Sequence, residues 1–463
     1  MKRERIAWML SFVLLCILAF NLPGSWGQRD DDYSFVRTLV DIHRQIDTNY
    51  VEPVNDSDLR LKAINGMMSD LDPFSIYIPP DEQADFDRML QGSFKGVGIE
   101  LDLEGGHPVV VTPIDGSPAF YAGVMAGDVI LKVNGDSVDG LDLESLVKKI
   151  AGPVGAPVTL TLRHVNGRVV TLTMKREEIV QTTVKGYQRN SDDTWDYYVC
   201  KNPKIAYLRI TQFTDNTFDE LHDALVGHAA EPAHDGQAAE PAEPGIMDTG
   251  MKGLILDLRF NPGGELEQAV KVVNLFVKSG VIVSTRGRNR PEQVFSADGQ
   301  GTLPYFPMIV LVNEHSASAA EIVSGSLKDH DRALIVGTRT YGKGSVQELI
   351  PLDDDSGELK LTVAYYYLPS GRLVHRRPGA TDWGVNPQIV VPMDDQQEEQ
   401  VMELHVRQET IRRPTTQPIE AAATAPTTQP IDPQLQQALN TMVGLIVLQR
   451  GQAPAPLPPV SAN

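Results

Sequence analysis

Ser318 and Lys343 are the side chains whose types and surroundings best suit covalent chemistry. The serine stands where a short apolar run, Pro307 to Val312, meets an Ala-rich segment with helical spacing, Ala317 to Leu327. At such a strand-to-helix switch backbone N–H groups are still unpaired, and together with the helix dipole they can stabilise an oxyanion. A second buried strand, Ala333 to Val336, leads to the glycine-flanked lysine Gly342-Lys343-Gly344. A lysine ammonium is a poor base, but burial disfavours its charged form and turns the amine into a proton acceptor. The bland alternatives are explicit: a serine at an Ala-rich helix start is ordinarily a cap, and a glycine-flanked lysine ordinarily a surface loop. A Ser-His-Asp arrangement is the mechanistic rival. For that role His315 lies only three residues before Ser318, and His330 and His375 have no evident orienting partner.

An oxyanion needs donors from elsewhere in the chain. The apolar run Gly253 to Leu258 passes directly into Arg259-Phe260-Asn261-Pro262-Gly263-Gly264 and a helical segment from Glu265 to Val277. Such strand-glycine-helix junctions expose backbone N–H groups at a helix N-terminus. A dinucleotide-binding loop is the competing reading, and it lacks both the third glycine and a following acidic ribose ligand.

These stretches resemble the active-site region of the carboxyl-terminal processing serine peptidases, also called tail-specific proteases. The family pattern is approximately S-A-S-A-S-E, a lysine 25 positions after the second serine, and a glutamine four further on; Ser318, Lys343 and Gln347 stand at those places. The third serine of the pattern is here Ala320, which leaves the nucleophile untouched. The resemblance implies a Ser-Lys dyad with Gln347 orienting the lysine amine. It carries the family's D-x-R-x-N-x-G-G segment onto Gly263, with Gly264 close behind, as oxyanion donor beside the N–H of Ala319. With gaps, the match runs from about Tyr33 to Pro392.

The other elements fit this frame. From Tyr33 to Leu90 apolar residues recur at three- and four-residue spacing, predicting a small helical region with a packing or dimerisation role. From Phe94 to Lys175 short strands surround the block from Ser117-Pro118-Ala119 to Val133-Asn134-Gly135, which resembles a PDZ domain of the bacterial circularly permuted type. Its Gly96-Val97-Gly98-Ile99 loop can aim successive N–H groups at a terminal carboxylate while the adjacent sheet edge pairs with the peptide. His228 to Gly250, with Ala-Glu-Pro repeats and no periodicity, predicts a solvated, disordered insertion, and its two histidines lack ligand spacing. The block with Tyr365, Tyr366, Tyr367 and Pro369-Ser370-Gly371 is expected to be framework. Beyond it come a polar helix, Gln396 to Arg412, a duplicated Pro-Thr-Thr-Gln-Pro-Ile linker, and a helix from Asp432 to Arg450 with one apolar face. That face must bury either on a second subunit or on its own chain. A Pro-rich tail follows.

Forty-one basic against 61 acidic side chains give a net charge of -20 over 463 residues, which argues against nucleic acid or an anionic membrane surface as main partner. Three basic residues before Ile6 to Phe20 read as a secretory signal or signal-anchor over residues 1–27. Cleavage is the favoured outcome, and the expected location is the periplasm or the outer face of the cytoplasmic membrane. Cys200 is then the single cysteine of the mature chain, so there is no disulfide framework and no cysteine-type metal site. The expected fold class is α/β (mixed α+β, multidomain): a helical region at 28–92, an inserted PDZ domain at 93–177, a peptidase core of the crotonase-like, tail-specific protease type at 178–395, and C-terminal helices at 396–463. The expected activity is a serine endopeptidase that captures protein C-termini and cleaves or processively degrades the substrate, with no metal and no cofactor. Protein substrates with accessible apolar C-termini are the expected partners; an adaptor protein and a homodimer through the terminal helices are further candidates. A catalytically silent, PDZ-bearing adaptor is the alternative of a different class, and a small-molecule binder on the same frame a third.

Overall fold

The computed structural model describes residues 29–90, 93–104, 107–114, 116–190, 194–228, 242–410 and 432–451. The expected signal, most of the Ala-Glu-Pro stretch, the duplicated linker and the Pro-rich tail lie outside the described residues. Residues up to Tyr77 form one unit and those from Ile78 onward another.

The first unit holds α1 (Arg29–Asn49) and α2 (Asp56–Ser69). Asn55 starts α2 by accepting the N–H groups of Ser57 and Asp58, with Asp56 and Asp58 in the favourable first turn.

The second unit opens with α3 (Gln83–Leu90) and β1 (Ser93–Gly96). Strand β1 pairs antiparallel with β7 (Glu177–Val180), so the chain enters and leaves the intervening module at one place. Within the module, β2 (Ile99–Glu104), β3 (His107–Pro113), β4 (Val129–Val133), β5 (Pro157–Arg163) and β6 (Val169–Lys175) lie in that order in one antiparallel sheet. Alternation builds it: Val158, Leu160 and Leu162 of β5 are fully buried, and the threonines between them are not. Two short helices, α4 (Pro118–Ala122) and α5 (Leu143–Ile150), close the module's own core.

The larger core is a mixed sheet. Its parallel strands run β10 (Lys204–Ile210), β11 (Gly253–Asp257), β14 (Met308–Val312), β15 (Leu334–Gly337) and β18 (Ile389–Val390), with β8 (Val184–Lys185) and β9 (Tyr198–Lys201) antiparallel on β10. Every residue of β11 and β14 is buried, because both faces of the sheet are covered; hence the uninterrupted apolar runs. On one face pack α6 (Thr217–Val226), α7 (Leu266–Asn274) and α8 (Ala319–Asp329). On that side a second, antiparallel sheet contains β12 (Gly280–Gly287), β13 (Gln293–Ala297), β16 (Ser345–Pro351) and β17 (Glu358–Tyr367), in the order β16-β17-β12-β13.

The other face is covered by a later helix of the same chain. After α9 (Asp395–Glu409), α10 (Pro433–Gly451) lays Leu435, Ala438, Met442 and Ile446 on Ile205, Ile255, Ile309 and Leu311. The apolar face predicted for this helix therefore docks on its own chain, leaving Val443 and Val447 exposed. A departure from expectation concerns the predicted insertion. Ile246 is buried in the main core, with its N–H on the Ala224 carbonyl, so this end of the low-complexity stretch is framework that the composition conceals.

Candidate active site

The nucleophile candidate occupies the N-cap of α8 with φ 53° and ψ −117°, a backbone conformation that a non-glycine residue holds only when its surroundings impose it. Those surroundings are visible. Ser318 N–H donates to Glu321 at 2.9 Å, and its carbonyl accepts from the Glu321 and Ile322 amides and from the Tyr366 hydroxyl. One turn earlier, Ser316 Oγ donates to the Leu258 carbonyl, and Asn313 Oδ1 accepts the Phe260 N–H. The serine loop is thereby stitched to the loop after β11.

That second loop carries the glycines. Gly263 is buried, and a Cβ there would lie 2.6 Å from Ser318 Cβ and 2.9 Å from the Ala319 nitrogen, so only glycine lets the two loops approach. Its N–H donates to Asn261 Oδ1 at 2.8 Å. Gly264, by contrast, is exposed and lines a cavity together with Ser318. The loop is anchored below by Arg259, wholly buried, whose guanidinium bonds Asp257 on one side and, in bidentate fashion at 2.8 and 3.0 Å, Asp432 at the start of α10 on the other.

Ser318, Ala319, Gly264, Lys343 and Gln347 line one cavity of about 260 Å³. Lys343 is half-buried at the head of β16. Burial above all, and then the neighbouring Lys360 ammonium, holds its pKa below the ordinary lysine value, while Glu321 pulls the other way. Gln347 donates its amide hydrogens to Ser345 Oγ and Thr362 Oγ1 at 2.9 and 3.1 Å, which leaves its carbonyl oxygen as the acceptor. Among the described residues no histidine lines the cavity. His315 instead stacks on Phe260 and faces Glu398, and His330 bonds the Val281 carbonyl.

Two residues with a part in this geometry escaped the sequence reading. Glu321 is fully buried and serves both loops: its carboxylate accepts Ser318 N–H, Lys343 N–H at 2.8 Å, Gly342 N–H at 2.8 Å and the Thr340 hydroxyl. Burial raises its pKa to about 7 against the opposing pull of those donors. The Ser318-x-x-Glu321 spacing of a capping box was the available signal. Tyr366, read as framework, bonds the Lys343 carbonyl at 2.5 Å and the Ser318 carbonyl at 3.1 Å with one hydroxyl.

In the smaller module, Val97 is buried with its carbonyl on the Ala119 N–H, and Gly98 has φ 76° with a would-be Cβ 2.2 Å from Ser117 Cβ. Gly96 ends β1, and Ile99 begins β2, which lies at the end of its sheet. For a metal, the described residues offer one group, Glu314, His315 and Glu398, with ligand atoms within 4.8 Å of one another; two of the three are exposed and none lines the Ser318 cavity.

Comparison with known proteins identifies the family. The sequence profile of peptidase family S41 matches residues 204–391, and that of the PDZ domain matches residues 109–164. The carboxy-terminal-processing protease of Bartonella bacilliformis is 39% identical over 367 residues, covering 79% of this chain and 77% of the relative. The carboxy-terminal processing protease CtpA of Bacillus subtilis is 34% identical over 355 residues, covering 76% and 68%. Among solved structures, the photosystem II D1 C-terminal processing protease is 28% identical with a TM-score of 0.42, covering 78% of this chain and 89% of its own. With identity of this extent over so much of both sequences, the chain belongs to peptidase family S41, as a carboxy-terminal processing serine peptidase of mixed α/β fold with a PDZ domain.

Proposed function

We propose that Ser318 and Lys343 form the catalytic dyad of an endopeptidase that takes its substrates by their C-termini. The neutral amine of Lys343 accepts the Ser318 proton as Oγ attacks the peptide carbonyl, and the same lysine returns that proton to the leaving amine. Water then releases the acyl-enzyme. The oxyanion donors are the N–H groups of Ala319 and Gly264; Gly263, whose N–H is engaged by Asn261, supplies the close approach of the two loops. The free carbonyl oxygen of Gln347 accepts from the lysine amine and fixes its direction. Residues 96–99 and the edge of β2 hold the terminal carboxylate and the last residues of the substrate, so that the chain is presented for successive cuts. The residues before 28 act as the export signal of a protein working outside the cytoplasm.

The observation that carries this reading is the shared cavity: a half-buried lysine with a depressed pKa beside a strained serine, and, among the described residues, no histidine in the lining. The test is digestion of an unstructured protein with an apolar tail, read by mass spectrometry, using the chain from residue 28 onward. Ser318→Ala and Lys343→Ala should each lower the rate at least about 1,000-fold, and amidating the substrate tail should slow cleavage by the unaltered enzyme. Tail binding without cleavage would support the silent adaptor instead, and activity in Lys343→Ala would remove the dyad.

A further inference from the structure

Lys360 stands in the catalytic cavity without a part in the reaction just described. Its place follows from strand register. Gln347 of β16 faces Thr362 of β17, and Leu349 faces Lys360. With side chains alternating at period two, Lys360, Thr362 and Gln347 share a face, and Lys360 is the diagonal neighbour of the glutamine proposed to orient Lys343. The ammonium lies 5.3 Å from the centre of the Phe86 ring. Among the described residues no carboxylate forms an ion pair with it.

Four other charged or titratable groups lie around Lys343. Glu348, on β16, pairs with Arg290. Glu265, ahead of α7, is raised to about 7 by burial and by Asp215 beside it. Tyr366, on β17, spends its hydroxyl on backbone carbonyls. Glu321, from α8, favours charge on Lys343. Lys360 is the opposing influence, and the Phe86 ring face helps it keep its own proton in a site that burial makes unfavourable to a cation.

We propose that Lys360 is an electrostatic positioning residue: a cation built into the wall beside Gln347 so that Lys343, sharing the cavity, is held as the neutral amine the reaction needs. This rests on the dyad reading, and the experiment separates the two. The pH dependence of kcat/KM is measured on the unaltered chain, Lys360→Met, Lys360→Arg and Lys343→Ala. Methionine keeps the apolar stem against Phe86; arginine keeps the charge. In Lys360→Met the acid limb should move to higher pH, lowering activity at neutral pH about fivefold or more while the high-pH plateau falls far less. Lys360→Arg should restore the limb. An unmoved limb in Lys360→Met overturns the proposal, whether activity is intact or the plateau alone falls, and so does an arginine variant that behaves like methionine. A rise in KM with an unmoved limb assigns Lys360 to substrate contact and equally overturns it. Full activity in Lys343→Ala overturns the dyad itself.

Discussion

Replacing Glu321 with glutamine preserves shape and removes charge, and the consequences can be worked from its surroundings. In the folded chain this carboxyl titrates at about 7 against an ordinary value of 4.5. The group therefore binds its proton more tightly folded than unfolded. The stability this represents is fully present below pH 4.5 and is lost as the pH rises to about 7. A difference of roughly 2.5 units corresponds to about 3 kcal/mol. Glutamine does not titrate, so the stability of the unaltered protein relative to Glu321→Gln should fall by about that amount between pH 5 and pH 8. Urea unfolding followed by tryptophan fluorescence measures this, with Trp383, flanked by Arg339 and Arg376, reporting on the peptidase core. The rate should respond separately. Four donors converge on the carboxylate, and an amide can accept at only one of its two positions, so at least one buried N–H on the Ser318 or Lys343 loop loses its partner. At about 1–3 kcal/mol for an orphaned buried donor, kcat should fall roughly 10- to 100-fold. KM should change little, because Glu321 does not line the cavity. A stability difference constant across pH, or an undiminished kcat, would refute the reasoning.

Other outcomes follow from single contacts. Asp432→Asn removes one of two carboxylates from the buried Arg259 and should cost about 3 kcal/mol, read as a lower urea midpoint and a lower kcat together. Tyr366→Phe removes the hydroxyl shared by the Lys343 and Ser318 carbonyls and should cost about 1–2 kcal/mol of stability by the same urea measurement, with a fall in kcat but not in KM. Gly264→Ala would place a Cβ 1.9 Å from the Phe213 carbonyl oxygen and displace the N–H proposed as oxyanion donor; kcat should fall at least about 100-fold in steady-state assays. Gly98→Ala, with its Cβ 2.2 Å from Ser117 Cβ, should abolish binding of a C-terminal peptide measured by calorimetry while the Ser318 site still reacts with a small acylating reagent.

What the sequence disclosed and what it withheld divide along a physical line. The junctions that carry Ser318, Gly263 and Lys343 were legible because each is a local switch, strand to helix or strand to glycine loop, whose backbone chemistry is written within a few residues; that the Gly263 N–H is taken by Asn261, against its expected part as oxyanion donor, was not. Strands β11 and β14 were legible because burial on both faces forces unbroken apolar runs. Glu321 was half-legible: its spacing from Ser318 announces a cap, but nothing local says that the other end of the carboxylate holds Gly342 and Lys343. Lys360 was illegible. A lysine alternating with Leu359 and Leu361 reads as the solvent side of a strand, and only the register of β16 on β17 turns that side into a cavity wall. Asp432 was more remote still, 173 residues from the arginine it neutralises.

That last contact has a consequence for how the site is built. Arg259 lies two residues past β11 and four before Gly263, so its position fixes the entry of the glycine loop. With Asp257 alone it would be one buried cation on one carboxylate that also accepts the Tyr207 hydroxyl. The second carboxylate arrives only with α10, whose apolar residues simultaneously cover the sheet face opposite α7 and α8. Closing the core and completing the charge balance under the glycine loop are thus one event, performed by α10. A chain ended at residue 410 would lose both, leaving Ile205, Ile255 and Leu311 uncovered and Arg259 under-neutralised. Supplying the missing helix as a separate 432–451 peptide should then restore peptidase activity in a saturable manner, and should fail to do so when it carries Asp432→Asn. Equal rescue by both peptides would mean that α10 contributes only its apolar face, and that Arg259 needs no more than Asp257.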